Sequence, residues 1–361
     1  MQKSYKVTVV TGYPNYGNYK FYKGYFPFFK RSDHNSGFKI IRIAHLPRLG
    51  NGFFGILAFY SSFLLTSSIY LFLYFLFKKE KKIGLITFCG SPVLIGLISN
   101  FYSKIFNIKS FLWIHDFWPE GIISSKILKP NIFTKYIKKI ENFMYRNSKN
   151  LIAQSPYSMK YFQKLFNNKN IYYFPSFIES NLLPIKVINR KRINICYTGL
   201  IGKTQNLEPF LKLLHGRKDD YFQFSVCGDG PEFEYLSQKY TNNIKWLGYL
   251  DKDRLTDIYS ESDFNFISLI GYKRLKLIFP FKFISYLNNG KPILAYTNCY
   301  FGNDINKFKL GYSVTNDIDM IQTLNKIQNL SQYNYTDLSN NVKKYFDNNF
   351  DYNLLLNKFL V

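Results

Sequence analysis

Acidic residues are scarce in this chain: 23 Asp and Glu stand against 48 Lys and Arg, for a formal charge of +25. So basic a chain meets nucleic acid, an anionic membrane surface or a phosphorylated substrate, unless the excess only accompanies a composition rich in Lys, Asn, Ile, Tyr and Phe. Cysteine is scarce too. Cys89, Cys196, Cys227 and Cys299 lie far apart with no Cys-x-x-Cys or Cys/His spacing, which excludes a disulfide scaffold and a zinc cluster. Three of them fall in or beside apolar runs that read as strands, so buried free thiols in a reducing compartment are expected. The opening "MQKSYKVTVV" lacks the apolar core and cleavage site of a secretory leader. Basic residues are scattered and no nucleic-acid-binding motif occurs, so nucleic acid is not an expected partner.

What is present is apolar residue, 47% of the 361, enough for two ordinary domains each with its own core. One uncharged run stands out, residues 51–77, followed by "KKEKK". It is long enough to span a bilayer, yet Ser61, Ser62, Thr66, Ser67 and Ser68 sit in its middle. A span, an interfacial helix and a buried helix are the three readings. The flanking Arg48, Lys78, Lys79, Lys81 and Lys82 suit an anionic leaflet.

Apolar strand-like runs alternate with helical periodicity, the α/β signature. Strands are expected at 6–11, 38–44, 83–88, 110–115, 150–155 and 171–176, then at 193–199, 222–230, 244–248, 263–268 and 291–296. The Pro-containing basic stretch 181–192 reads as a linker. It separates an N-terminal domain, 1–180, from a C-terminal one, 193–340, and residues 341–361 read as a last helix that packs back on the first domain. The expected architecture is two doubly wound Rossmann-like halves facing a cleft.

Two strand-to-helix turns carry glycine: "YTGLIGKTQN" (197–206) and "CGDGP" (227–231). Glycine there lets backbone amides approach a phosphate at a helix N-terminus, although steric need alone also places glycine in such turns. A third stretch, 271–294, holds Lys273, Arg274 and Lys276 in a loop, then Pro280 and Lys282 in a first helical turn. A cation there opposes the helix dipole, so an anion sharing the site accounts for it better. Together the three point to a diphosphate. The triplets Asp251-Lys252-Asp253 and Asp317-Ile318-Asp319 read as caps or surface acids, and no metal is expected. In "LWIHDFWPEG" (112–121), His115, Asp116 and Glu120 follow a strand end, where open α/β sheets bind ligands.

These stretches, with "VTVVTGYPNYGNYKFYKGY" and "FPFKFISYLNNGKPIL", resemble in order the retaining glycosyltransferases of the GT-B fold, family 4. The similarity is to the branch that builds bacterial O-antigens and capsules, L-fucosamine transferases included. The resemblance implies a nucleotide-diphosphate sugar held by the C-terminal domain and a polyprenyl-diphosphate-linked glycan acceptor held by the N-terminal one. The place of work would be the cytoplasmic face of the inner membrane, in peripheral or monotopic association. It implies donor contacts at Gly199, Gly202, Lys203, Gln205, Gly228, Asp229, Gly230, Lys273, Arg274, Lys282 and Ser285, and catalytic roles for His115, Asp116 and Glu120. No cofactor or metal is implied. Ser285 stands where the family has a Glu on the nucleotide ribose, and Leu200 and Gln205 stand where many relatives have Arg and Lys; Lys203 or the 273–276 loop would compensate. The run at 6–11 aligns with the family's second strand. A first strand, glycine loop and helix have no counterpart, so two strand edges are expected to lie open within the first sheet. The alternatives are a non-catalytic GT-B remnant that binds membrane or a partner, and a GT-B-like nucleotide-sugar epimerase.

Overall fold

The computed structural model describes all residues except 1–5, 15–28, 34–37, 48–49, 51, 78–82, 180–182, 189–190, 353 and 356–361. Arg48, Lys78, Lys79, Lys81 and Lys82 therefore lie outside the described residues. Two compact units form: 1–153 with 162–172, and 154–161 with 173–361. The division thus differs from the expected linker at 181–192, since 154–161 and 173–192 go with the second unit.

In the first unit the order is β1 (Thr8–Gly12), β2 (Phe29–Asp33), β3 (Lys39–Ile43), α1 (Phe53–Phe77), β4 (Gly84–Cys89), α2 (Gly96–Ile105), β5 (Lys109–Ile114), α3 (Glu120–Ser124), α4 (Ile132–Asn147) and β6 (Asn150–Ala153), with α5 (Pro156–Leu165) and β7 (Asn170–Tyr173) straddling the division. Asn131 starts α4 with a capping box, its side chain accepting from Thr134 N while Thr134 Oγ1 accepts from Asn131 N. The second unit runs β8 (Ile193–Thr198), α6 (Glu208–His215), β9 (Phe222–Cys227), α7 (Phe233–Lys239), β10 (Ile244–Gly248), α8 (Lys252–Glu261), β11 (Phe264–Leu269), α9 (Phe281–Asn288), β12 (Ile293–Thr297), α10 (Tyr300–Lys307), β13 (Gly311–Val314), α11 (Asp317–Gln328) and α12 (Gln332–Phe350). Asp251 caps α8 as expected, accepting from Arg254 N at 2.9 Å. At α11 the cap is Asn316, and Asp317 and Asp319 occupy the first turn. Helix α12 places Val342, Phe346 and Phe350 in one buried cluster with Phe279 and Phe283, all within the second unit.

The second sheet is continuous and parallel, in the order β10-β9-β8-β11-β12-β13. Its first strand, β8, is central: the chain winds one way through β9 and β10, then crosses to β11, β12 and β13. The inner strands β8, β9, β11 and β12 are covered on both faces and are mostly apolar, without charge. The first unit has the same winding without the centre. Its strands form two sheets, β1-β3-β2 and β4-β5-β6-β7, and among the described residues no strand pairs with the outer edge of β1 or of β4. The two open edges are the ones expected from the resemblance. Coverage differs as well: β9 and β11, which flank β8, are almost wholly buried, whereas the alternate residues Ile86 and Phe88 of β4, on one face of its sheet, are 53% and 57% exposed.

Candidate active site

In the second unit the glycines of the two turns let one turn nest against the other. Gly199, Gly228 and Gly230 have φ of +122°, +140° and +154°. A Cβ on Gly228 would fall 1.9 Å from Gly199 O, and one on Gly230 2.3 Å from Ile201 O. Backbone bonds lock the pair: Gly199 N donates to Cys227 O at 2.8 Å, and Ile201 N to Asp229 O at 2.9 Å. Asp229 Oδ1 accepts from Gly230 N at 2.6 Å. Gln205 folds back so that its Oε1 would meet a Cβ on Gly202 at 3.2 Å.

Lys282 comes into this turn from α9. A Cβ on Gly199 would lie 3.1 Å from Lys282 Cε and 3.2 Å from Nζ, so glycine leaves room for the lysine. Its ammonium rests 3.4 Å from the centroid of the Tyr197 ring. Among the described residues no acceptor reaches this buried nitrogen, and burial pushes its pKa well below the usual lysine range. A buried cation held only by a ring face is costly, and an anion beside it would offset that cost. The start of the basic loop is tied to the same turn, Ile270 N donating to Thr204 O at 2.8 Å, and to the end of β12, Gly271 N donating to Asn298 Oδ1 at 2.8 Å. Arg274 in this loop is buried, while Lys273 is exposed with its ammonium 5.3 Å over the Tyr272 ring.

Two expected donor residues have other engagements. Lys203 is ion-paired with Glu232 at the start of α7. Ser285 stands beside Tyr259, whose hydroxyl lies 2.6 Å from Thr198 Oγ1, and Thr198 N donates to Tyr286 OH at 2.8 Å. Tyr197, Tyr259 and Tyr286 were not apparent as site residues from sequence: their partners are set by packing between β8, α8 and α9.

In the first unit, β5 delivers His115 and Asp116. The His115 ring lies between Phe88 and Trp113, centroids 4.2 and 4.5 Å away, and burial lowers its pKa to about 4, so the imidazole is neutral at pH 7. Asp116 Oδ1 accepts from Phe117 N at 2.8 Å and Oδ2 from Ser91 Oγ at 3.4 Å. Burial pushes its pKa up to about 7, and the negative charges of Glu141 and Glu120 add to the shift. Glu120 is buried and 3.6 Å from Lys138 Nζ.

Glu141, fully buried, is the residue the sequence did not reveal. Oε1 accepts from Trp118 N at 2.9 Å and from Tyr145 OH at 2.9 Å, and Oε2 lies 3.5 Å from Lys138 Nζ. It thereby holds the 116–120 loop from α4. Glu141→Ala strips both acceptor bonds and leaves Lys138 with Glu120 alone. The expected loss is about 2–5 kcal/mol of stability, read by urea unfolding, and Glu141→Gln should lose less.

No family model matches the sequence, and no curated protein matches it. Solved structures do match the fold. S. aureus TarM superposes with a TM-score of 0.61 at 14% identity over 93% of this chain, which spans 63% of TarM's length. Anabaena HepE, solved with UDP and glucose, gives 0.60 at 13% identity, covering 90% of this chain and 86% of HepE. The lipopolysaccharide outer core galactosyltransferase WaaB gives 0.59 at 12% identity, covering 98% of each chain. By its parallel sheets and these likenesses, the chain has the two-domain, Rossmann-like α/β fold of GT-B glycosyltransferases.

Proposed function

We propose that the protein is a retaining glycosyltransferase that moves a sugar from a nucleotide-diphosphate donor to a lipid-linked glycan, in O-antigen or capsule synthesis at the cytoplasmic face of the inner membrane. The observation that carries the donor part is Lys282: a buried ammonium with no acceptor among the described residues, against two interlocked glycine turns. Lys282, the turn amides and the α9 N-terminus would together stabilise negative charge developing on a departing diphosphate. In the first unit Asp116, with a proton affinity near neutrality, suits exchange with an acceptor hydroxyl. TarM, HepE and GtfA were each solved with UDP, which favours a uridine donor.

A second reading is a GT-B remnant that binds without catalysing, favoured by the open edges of β1 and β4 and by Ser285. Thermal unfolding with UDP, GDP and CMP separately, at millimolar concentration, decides between them. A ligand at about 100 times its dissociation constant adds ~2.7 kcal/mol. A shift with one nucleotide alone is expected; a cooperative melt unmoved by all three would sink the transferase reading.

A further inference from the structure

The helical layer of the first unit has the wrong outside for water. Helix α2 lies between α1 and α4: Phe75 of α1 packs 5.9 Å from Tyr102 of α2, Ser68 Oγ sits 2.8 Å from Tyr102 OH, and Asn100 Nδ2 donates to Met144 O of α4 at 2.7 Å. Lys104 Nζ adds a bond to Asn147 Oδ1 at 2.9 Å. All three helices turn large apolar side chains outward. On α1 they are Leu57, Leu65, Ile69, Phe72, Leu73 and Leu76, the last five at the three- and four-residue spacing of one helical face. Phe101 and Ile105 continue the surface on α2. On α4 it is formed by Ile132, Phe133, Tyr136, Ile140 and Phe143, of which Ile132 and Phe143 are 70% and 61% exposed. Helix α4 is thus apolar on two faces, since Ile137, Met144 and Tyr145 bury the opposite one.

Charge on these helices has one sign outside. Lys104, Lys135, Lys138, Lys139 and Arg146 are their cations, and the one acid they carry, Glu141, is fully buried. Exposed apolar side chains on three helices packed on one another, accompanied by cations and by no exposed acid of these helices, are complementary to an anionic bilayer surface.

How α1 meets that surface also follows. It is held to the unit along its length: Ile56 and Phe75 are buried, Tyr60 packs 5.5 Å from Trp118, and Phe63 5.9 Å from His45. Standing across a bilayer would release all of these contacts. The hydroxyls of Ser62, Thr66 and Ser67 are satisfied within the helix, with Ser62 Oγ donating to Phe59 O at 2.9 Å, Thr66 Oγ1 to Ser62 O at 2.9 Å and Ser67 Oγ to Phe63 O at 2.6 Å, so they tolerate an apolar boundary.

We infer that α1, α2 and α4 form one docking face that lies flat on an anionic lipid surface, with α4 a contact element in its own right. The inference rests on the membrane-surface part of the proposed function and not on the sugar transferred. The test is co-sedimentation of the full chain with sucrose-loaded vesicles of phosphatidylcholine, with and without a quarter phosphatidylglycerol. Phe133→Ser/Ile140→Ser/Phe143→Ser is expected to weaken partitioning at least tenfold. Lys135→Glu/Lys139→Glu should abolish the preference for the anionic vesicles while leaving weak binding to the neutral ones. Circular dichroism and the nucleotide-induced melting shift report folding of each variant. Partitioning of both variants equal to the parent's overturns the role of α4. So does a parent that is dimeric by light scattering, with monomeric variants that still bind vesicles, since the face would then pair two copies. Vesicle binding without any nucleotide shift would remove the transferase reading and leave this inference standing.

Discussion

Lys282→Met is expected to raise the unfolding temperature of the nucleotide-free protein and to abolish its response to nucleotide. The two effects share one cause. Lys282 Nζ is buried with no acceptor among the described residues, and burial depresses its pKa. A lysine whose folded pKa lies below its unfolded value costs stability at every pH where the unfolded side chain is protonated, so at pH 7 the cost is in force. Methionine keeps the length of the stem over the Tyr197 ring and removes the charge. The expected gain is a few degrees, on the scale of about 2–4 °C per kcal/mol for a domain of this size. It should shrink as pH rises toward the usual lysine range. Transfer should fall about 10²–10³-fold, as when one charge-stabilising donor is lost from a transition state. Differential scanning fluorimetry with and without UDP reads the first effect, and single-turnover transfer the second. A variant less stable than the parent, and still shifted by UDP, would show that the ammonium is structural.

The strands were legible because their chemistry is local. Runs such as 193–198 and 264–269 are mostly apolar and carry no charge, as strands covered on both faces tend to be, and their ends differ from expectation by one residue. Strand β2, "FKRSD", escaped because three of its five residues are charged; it joins the sheet by antiparallel pairing with β3, which no periodicity announces. The glycine turns and Lys282 were visible from their spacing. Glu141 was not. It sits among lysines in "KKIEN", where a solvated ion pair is the ordinary reading, and only the packing of α4 against the 116–120 loop buries it. Lys203 shows the reverse: the sequence offers a free cation beside a glycine turn, but the fold sets Glu232 against it. Residues whose role depends on a neighbour distant in sequence are the ones that sequence alone places poorly.

Asp116→Asn should separate stability from chemistry in the first unit. The parent carboxyl has a folded pKa near 7 against an ordinary value of 3.8, because burial, Glu141 and Glu120 disfavour its charge. For an acid whose pKa is raised on folding, the folded state holds the proton more tightly. Stability is therefore lost as pH rises from about 4 through about 7, and the cost is complete above that window. Asparagine removes the titration. Its Oδ1 can still accept from Phe117 N, and its Nδ2, in place of Oδ2, can donate to Ser91 Oγ, so both contacts that fix the parent side chain are kept. The variant should thus match the parent at and below about pH 4 and melt higher at pH 8. Transfer should move the other way. If the carboxylate takes the acceptor proton, parent kcat/KM climbs through pH 7 and flattens above it. The variant should then run about 10²–10⁴-fold lower, without that limb. Melting curves across pH 3.5–9 and initial rates across pH 5–9 read both quantities on the same preparations. A variant that keeps the parent's acid limb would move the titration to another group of the cluster, Glu120 or Glu141, and leave Asp116 as a hydrogen-bond acceptor for the loop.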